Sequence, residues 1–206
     1  MPTGAAPLRN APGPSDAPAQ PVVDPDLPLL RAIADGDEAA CRTLVDRHLT
    51  RLHAFATRLL GDAAEAEDVC QDVFVQAWKA APRWRAGDAR FSTWLHGVAL
   101  NACRDRMRRR RPQSDADLDM IGDDTPGPAQ RVASADTARA VRTAIEALPE
   151  RQREALVLCH FQELPQSEAA ALLDVSVDAL ESLLARARRT LRQSLAPLAP
   201  MGESTP

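Results

Sequence analysis

From Asp24 to Arg111 apolar side chains recur every three or four positions, and no stretch alternates apolar with polar residues as a half-buried strand requires. Cys41, Leu44, Val45, His48, Leu52, Phe55, Ala56 and Leu59 make one stripe along one helix face, and Gly61-Asp62 ends it. A second stripe collects Ala66, Val69, Cys70, Val73, Phe74, Ala77 and Trp78, while Glu65, Glu67, Asp68, Gln71 and Asp72 fill the opposite face; Pro82 stops that helix. Ser92 or Thr93 is placed to cap the next one, with Trp94, Leu95, Val98, Ala99 and Cys103 as its apolar face and the arginine run 108–111 at its end. Few β-branched or aromatic runs compete, so the chain reads as all-α.

The helical pattern breaks twice. Residues 1–24 are rich in Pro, Ala and Gly, carry almost no charge and show no apolar period, which reads as a disordered tail. Residues 112–133 hold five aspartates, at 115, 117, 119, 123 and 124, together with Pro126 and Pro128, which reads as a flexible acidic linker. The expected organisation is therefore two small helical domains, 25–111 and 134–195, with a second tail over 196–206. In the second domain Ala138, Val141, Ala144, Ile145 and Leu148 share a face, and Pro149 opens the next segment where helices accept proline.

The most specific local pattern spans 166–185. A short helix over Ser167–Leu173, a tight turn at Asp174-Val175-Ser176 and a longer helix from Val177 make a helix-turn-helix, with Ala170, Val175, Leu180 and Leu184 as its internal contacts. Such a unit lays the start of its second helix in a major groove about 12 Å wide, which admits a helix with its side chains. Arg186, Arg188, Arg189 and Arg192 follow along that helix, where they suit phosphates. A plain helical hairpin with a solvated basic face is the competing reading.

Composition narrows the function. With 45% apolar residues the chain can bury a core, and no run of eighteen apolar residues or basic leader into an apolar block marks a membrane span or secretory signal, so a cytoplasmic protein is expected. The four cysteines, Cys41, Cys70, Cys103 and Cys159, are scattered without zinc-site spacing. A net charge of −4 means that nucleic-acid binding must come from local clusters. One such cluster is Arg104, Arg106 and the run 108–111, beside Trp84, Phe91 and Trp94; aromatic faces hold unstacked bases while arginines neutralise the backbone, which suits single-stranded DNA. The competing reading is a basic helix end that complements its dipole, with Trp94 in the core. No nucleophile, base and orienter set and no glycine-rich phosphate loop occurs, so no enzyme, cofactor or metal site is expected.

Several stretches in order, from Ala34-Asp35-Gly36-Asp37-Glu38 through 64–74, Phe91-Ser92-Thr93-Trp94-Leu95 with Asn101, and Leu148-Pro149-Glu150-Arg151-Gln152-Arg153-Glu154 into the helix-turn-helix, resemble the extracytoplasmic-function sigma factors of the sigma-70 family. The resemblance runs from Leu29 to Leu195 and implies a sigma region 2 followed by a sigma region 4. It implies a subunit that binds core RNA polymerase and directs promoter recognition, monomeric, with no catalysis of its own, under control of an anti-sigma factor. Asp68, Gln71, Asp72, Phe74 and Trp78 carry over to docking on a coiled coil of the largest polymerase subunit, and region 4 to the flap of the second-largest. Trp84, Arg85, Asp88, Phe91, Asn101, Arg104, Arg108 and Arg109 carry over to opening the −10 element and capturing a flipped base. Ser176, Asp178, Ala179, Glu181, Ser182, Arg186 and Arg188 carry over to reading the −35 element.

Two departures bear on specificity. Asp178, Glu181 and Leu183 stand where family members commonly carry Lys or Arg, although Glu can accept from a cytosine amino group. The loop Arg85-Ala86-Gly87-Asp88-Ala89-Arg90 is one residue longer than in some relatives. Other classes make different predictions: a self-sufficient helix-turn-helix regulator dimerises on a palindrome, and a thiol or metal sensor uses Cys159 and His160.

Overall fold

The computed structural model describes residues 24–85, 90–110 and 129–196, with backbone alone over 129–135. Residues 1–23 and 197–206 of the expected tails, residues 112–128 of the expected linker, Asp88 and Arg111 lie outside these residues; Asp24, expected to end the N-terminal tail, is instead hydrogen-bonded to the first domain. All regular structure among the described residues is helical. The first domain comprises α1 (Leu27–Ala34), α2 (Glu38–Leu60), α3 (Ala63–Ala80), a 3-10 turn (Ala81–Arg83) and α4 (Phe91–Arg110). The second comprises α5 (Ala129–Glu146), α6 (Glu150–Leu156) continuing into a π turn (Val157–Phe161), α7 (Gln166–Leu173) and α8 (Val177–Leu195). Helix α5 therefore starts at Ala129, ahead of the expected boundary at 134.

Local chemistry places most of these ends. The Asp37 carboxylate accepts from the Ala39 and Ala40 N–H groups and starts α2; Asp62 accepts from Glu65 and starts α3. Between them Gly61 closes α2 at φ 71°, a left-handed conformation that an L side chain resists. Ser176 caps α8 by accepting from the Ala179 N–H, and Asp174 takes the left-handed turn at φ 54°.

The stripes pack as their periods require. Leu44, His48, Leu52, Phe55, Ala56 and Leu59 of α2 are buried against Ala66, Val69, Cys70, Val73, Phe74 and Ala77 of α3. In α4 the buried apolar side chains are Phe91, Leu95, Ala99, Leu100 and Cys103, whereas Trp94 and Val98 pack half-buried at the edge of the same core. Expectation and structure also part at the start of α4. Ser92 and Thr93 lie inside the helix; the Thr93 hydroxyl donates to Glu168, and the carboxylate that receives the Phe91 N–H is that of Asp24, at 2.9 Å.

The two domains do not stand apart. One continuous apolar core runs from Leu30 through Phe55 and Cys103 to Val157, Leu173 and Leu184, and a smaller cluster of Ile145, Leu148, Leu156 and Ala187 completes the second domain. Gly97 of α4 lets the two approach, because a Cβ there would stand 3.0 Å from the Leu172 side chain of α7.

Candidate nucleic-acid and polymerase interfaces

Helix α4 presents three distinct faces, and its 3.6-residue period sorts them. Phe91, Leu95, Ala99 and Cys103 point into the first domain. Thr93, His96, Gly97, Arg104 and Met107 point at the second domain: His96 Nε2 lies 3.1 Å from Gln162 Oε1, and Arg153 donates to the Met107 sulfur at 3.4 Å. Asn101, Asp105, Arg108 and Arg109 form an exposed ridge, where Arg108 pairs with Asp105 at 2.6 Å.

The arginine cluster is thereby divided. Arg104 is held in a bidentate ion pair with Glu154, Nε to Oε1 at 2.6 Å and Nη2 to Oε2 at 2.8 Å, and the Glu154 side chain is 0% exposed. Bidentate Arg–carboxylate pairs combine strength with fixed geometry. Arg104, expected on the DNA-facing surface, is therefore an interdomain residue in this conformation. Arg106 donates to Asp72 at 3.0 Å. Arg110 donates to the Leu60 carbonyl at 2.9 Å and to Glu65 at 3.0 Å, tying α4 to the junction of α2 and α3. Arg108 and Arg109 remain on the open ridge beside Asn101.

At the N-terminal end of that ridge the aromatic residues make one cluster. Phe91 stacks on Trp94 at 5.3 Å between ring centroids, and Trp84 meets Phe91 edge-on at 4.9 Å and Trp94 at 5.8 Å. Phe91 is fully buried, so it supports the cluster rather than offering a face to a base; Trp84 and Trp94 are half-buried, and Arg85 is exposed. Trp84 thus has the packed environment that its polar sequence neighbours do not suggest.

On α3 the exposed face runs through Asp68, Gln71, Asp72, Val75 and Trp78 at helical spacing. Phe74, expected among the docking residues, is 5% exposed and belongs to the core. Val75 at 41% and Trp78 at 40% exposure put apolar surface among the carboxylates. Val75 was missed in the sequence, although its signal is there: it is an apolar residue out of phase with the stripe that includes Val73 and Ala77.

In the helix-turn-helix, Ala170, Leu173, Leu180 and Leu184 are buried, and the Val175 N–H bonds the Ala170 carbonyl at 3.0 Å across the turn. Ser176, Asp178, Glu181, Ser182, Arg186 and Arg188 are exposed and Ala179 is half-buried, so the first turns of α8 present their polar side outward. Arg188 lies 3.1 Å from His160 Nε2. Burial pushes the Cys159 thiol up despite the opposing pull of Arg188, which works against a reactive thiolate. Among the described residues no group of three or more His, Cys, Asp or Glu side chains is arranged to hold a metal, and no helix is long and apolar enough to cross a membrane.

Comparison with known proteins matches both halves. The family model for Sigma-70 region 2 matches residues 44–113, and that for Sigma-70 region 4 matches residues 138–191. The ECF RNA polymerase sigma factor SigM of Mycobacterium tuberculosis (strain ATCC 25618 / H37Rv) is 36% identical over 170 residues, covering 82% of this chain and 84% of SigM. RNA polymerase sigma factor CnrH of Cupriavidus metallidurans is 36% identical over 179 residues, covering 82% and 93%. Among solved structures, CnrH in complex with the cytosolic domain of CnrY has a TM-score of 0.63 at 31% identity, covering 85% of this chain and 99% of that one. The sigma factor RpoE in complex with the anti-sigma factor NepR from Bartonella quintana has a TM-score of 0.61 at 27% identity, covering 75% and 96%.

Proposed function

The chain belongs to the extracytoplasmic-function sigma factors of the sigma-70 family, and from that premise we propose that it binds core RNA polymerase and carries it to promoters. The polymerase-binding surface is the α3 face of Asp68, Gln71, Asp72, Val75 and Trp78, which meets a coiled coil of the largest subunit; the second domain meets the flap of the second-largest. Exposed carboxylates set around two apolar side chains support this, since charge steers the approach while the apolar centre supplies the burial. The α4 ridge of Asn101, Arg108 and Arg109, with Arg85, Trp84 and Trp94 at its end, takes the unpaired −10 strand. The outward side of α8, Ser176 to Arg188, takes the −35 duplex.

The observation that carries the reading is the order and geometry of two matched regions on one chain, an aromatic and arginine surface on the first and a packed helix-turn-helix on the second. Two weak sites joined by a tether give usable affinity only when both are engaged, which suits a subunit that acts on polymerase and binds DNA poorly alone. The contact between the domains is the form present before polymerase binds, since it occupies Arg104. Control by an anti-sigma protein is supported by the RpoE complex to which the fold is similar.

Reconstitution with core polymerase, followed by mapping of transcription starts, tests the proposal. Co-elution with core and new, uniform start sites are expected. Failure to co-elute, together with tight binding of the free protein to a symmetric operator, would overturn it.

A further inference from the structure

Helix α4 begins with an arginine where a cap belongs. The Arg90 carbonyl accepts the Trp94 N–H at 3.1 Å, so Arg90 holds the N-cap position, and an arginine side chain has no acceptor to offer the free N–H groups of the first turn. Neither following hydroxyl residue supplies one, since Thr93 is turned to Glu168 and Ser92 is inside the helix. The acceptor comes from the other end of the domain. Asp24, 67 residues away in sequence, receives the Phe91 N–H on Oδ2 at 2.9 Å and the Asp26 N–H on Oδ1 at 3.0 Å, while its carbonyl receives the Leu27 N–H at 3.2 Å.

Both carboxylate oxygens are thus in use, one for its own turn and one for α4. The turn is itself anchored, because Asp26 receives Arg47 at 2.6 Å and His48 at 2.8 Å from α2. Asp24-Pro25-Asp26 therefore clips α2 to the first turn of α4, at the residue whose ring underlies Trp94 and meets Trp84. A carboxylate at a helix N-terminus is also favoured by the helix dipole.

We propose that Asp24 is a positioning residue for promoter opening: through the Phe91 N–H it holds the Trp84–Phe91–Trp94 cluster in the arrangement that receives the unpaired −10 strand. The inference rests on the sigma-factor reading above and adds to it a residue outside both matched regions, 44–113 and 138–191. Asp24 touches no base; it acts on DNA only through the aromatic cluster.

The test compares wild type, Asp24→Ala and Asp24→Asn as full-length chains reconstituted with core polymerase, well below their melting temperatures. The DNA probe is a single-stranded oligonucleotide carrying the −10 element of a promoter mapped with the wild-type holoenzyme. Asp24→Ala is expected to bind this strand roughly 5-fold more weakly, the scale of losing one helix cap. Affinity for core polymerase and for −35 duplex should stay unchanged. Asn offers one acceptor oxygen in place of two, so Asp24→Asn should fall between the other two. In the free proteins, hydrogen exchange at the Phe91 amide should speed up in the same order, a local readout independent of polymerase. Unchanged exchange in Asp24→Ala would overturn the clip, and faster exchange with wild-type strand affinity would overturn its role in reading DNA. A wild-type holoenzyme that does not bind the strand would instead sink the sigma-factor reading itself.

Discussion

Asp26 illustrates how a single buried charge is kept. Its side chain is 1% exposed, and burial alone would raise its pKa; hydrogen bonds from His48 and Arg47 outweigh that and hold the carboxyl below the ordinary 3.8. With the folded value below the unfolded one, the unfolded chain binds the extra proton, so this contribution is present above about pH 4 and is lost as pH falls through the folded value. Asp26→Ala should cost about 1–3 kcal/mol at neutral pH by leaving His48 unpaired. Thermal melting should show the gap to wild type closing as the pH falls below 4. Two neighbours on α4 separate reading from folding in the same way. Asn101→Ala, on the open ridge, should lower promoter opening while leaving polymerase binding and melting temperature unchanged. Arg110→Ala removes the donor to Leu60 and Glu65 and should lower the melting temperature, by calorimetry. Neutralising the whole arginine run would confuse the two effects.

At the scale of the element, α8 carries an acidic first face, with Asp178 and Glu181 exposed among Ser176 and Ser182. Asp178 sits in the first turn, where the dipole favours it and Ser176 completes the cap. Near DNA the same charges repel phosphate, which shifts selectivity toward base contacts. Glu181→Lys should strengthen binding to DNA of any sequence and steepen the salt dependence by about one unit of slope if the lysine gains a phosphate. Titration of holoenzyme on promoter and on random duplex over a salt series reads both; a slope equal to wild type would place position 181 away from the backbone. Helix α4 shows the converse. Two of its three faces are packed, one against each domain, so its apolar residues do not fall on one narrow stripe, and the apolar face read in the sequence joined Trp94 and Val98 to Leu95 and Ala99. The structure grades them: Leu95 and Ala99 are fully buried, while Trp94 and Val98 pack against the same core half-buried at its edge, because neighbours one position apart on a helix point about 100° from each other.

Across the whole molecule, the Arg104–Glu154 pair is a buried polar contact between the domains, set beside their shared apolar core. Breaking a buried ion pair from one side costs up to about 3–5 kcal/mol when the remaining charge is left unpaired in the core; here Arg151, 3.5 Å from Glu154, stays as a weaker partner and lowers that cost. Opening the contact returns Glu154 to water and relieves most of that cost. Arg104→Ala should therefore increase the radius of gyration in small-angle scattering with helix content unchanged. Replacing both partners with apolar residues, as in Arg104→Met with Glu154→Leu, should keep the closed form. A closed single variant would show that the apolar contacts from Gly97 and Leu172 hold the domains without the pair.

The helical cores of α2 and α3, most of their buried stripes, the turn of the helix-turn-helix and the order of the motifs were legible in the chain, because each depends on residues within a few turns of one another; the start of α5 at Ala129, inside the expected linker, and the exposure of Trp78, placed with the α3 stripe, were not. Asp37, Asp62 and Ser176 cap helices that begin beside them, and Ala170 meets Val175 five residues on. What tertiary structure alone decided was the use to which similar residues are put. Arg104, Arg106, Arg108 and Arg110 are alike in sequence, yet one seals a domain contact, two brace α3 and one stays on the open ridge. The cap of α4 came from Asp24, and the partner of Thr93 from Glu168, 75 residues away. Contacts across such separations leave no period to read, since only the packing of whole helices brings their ends together.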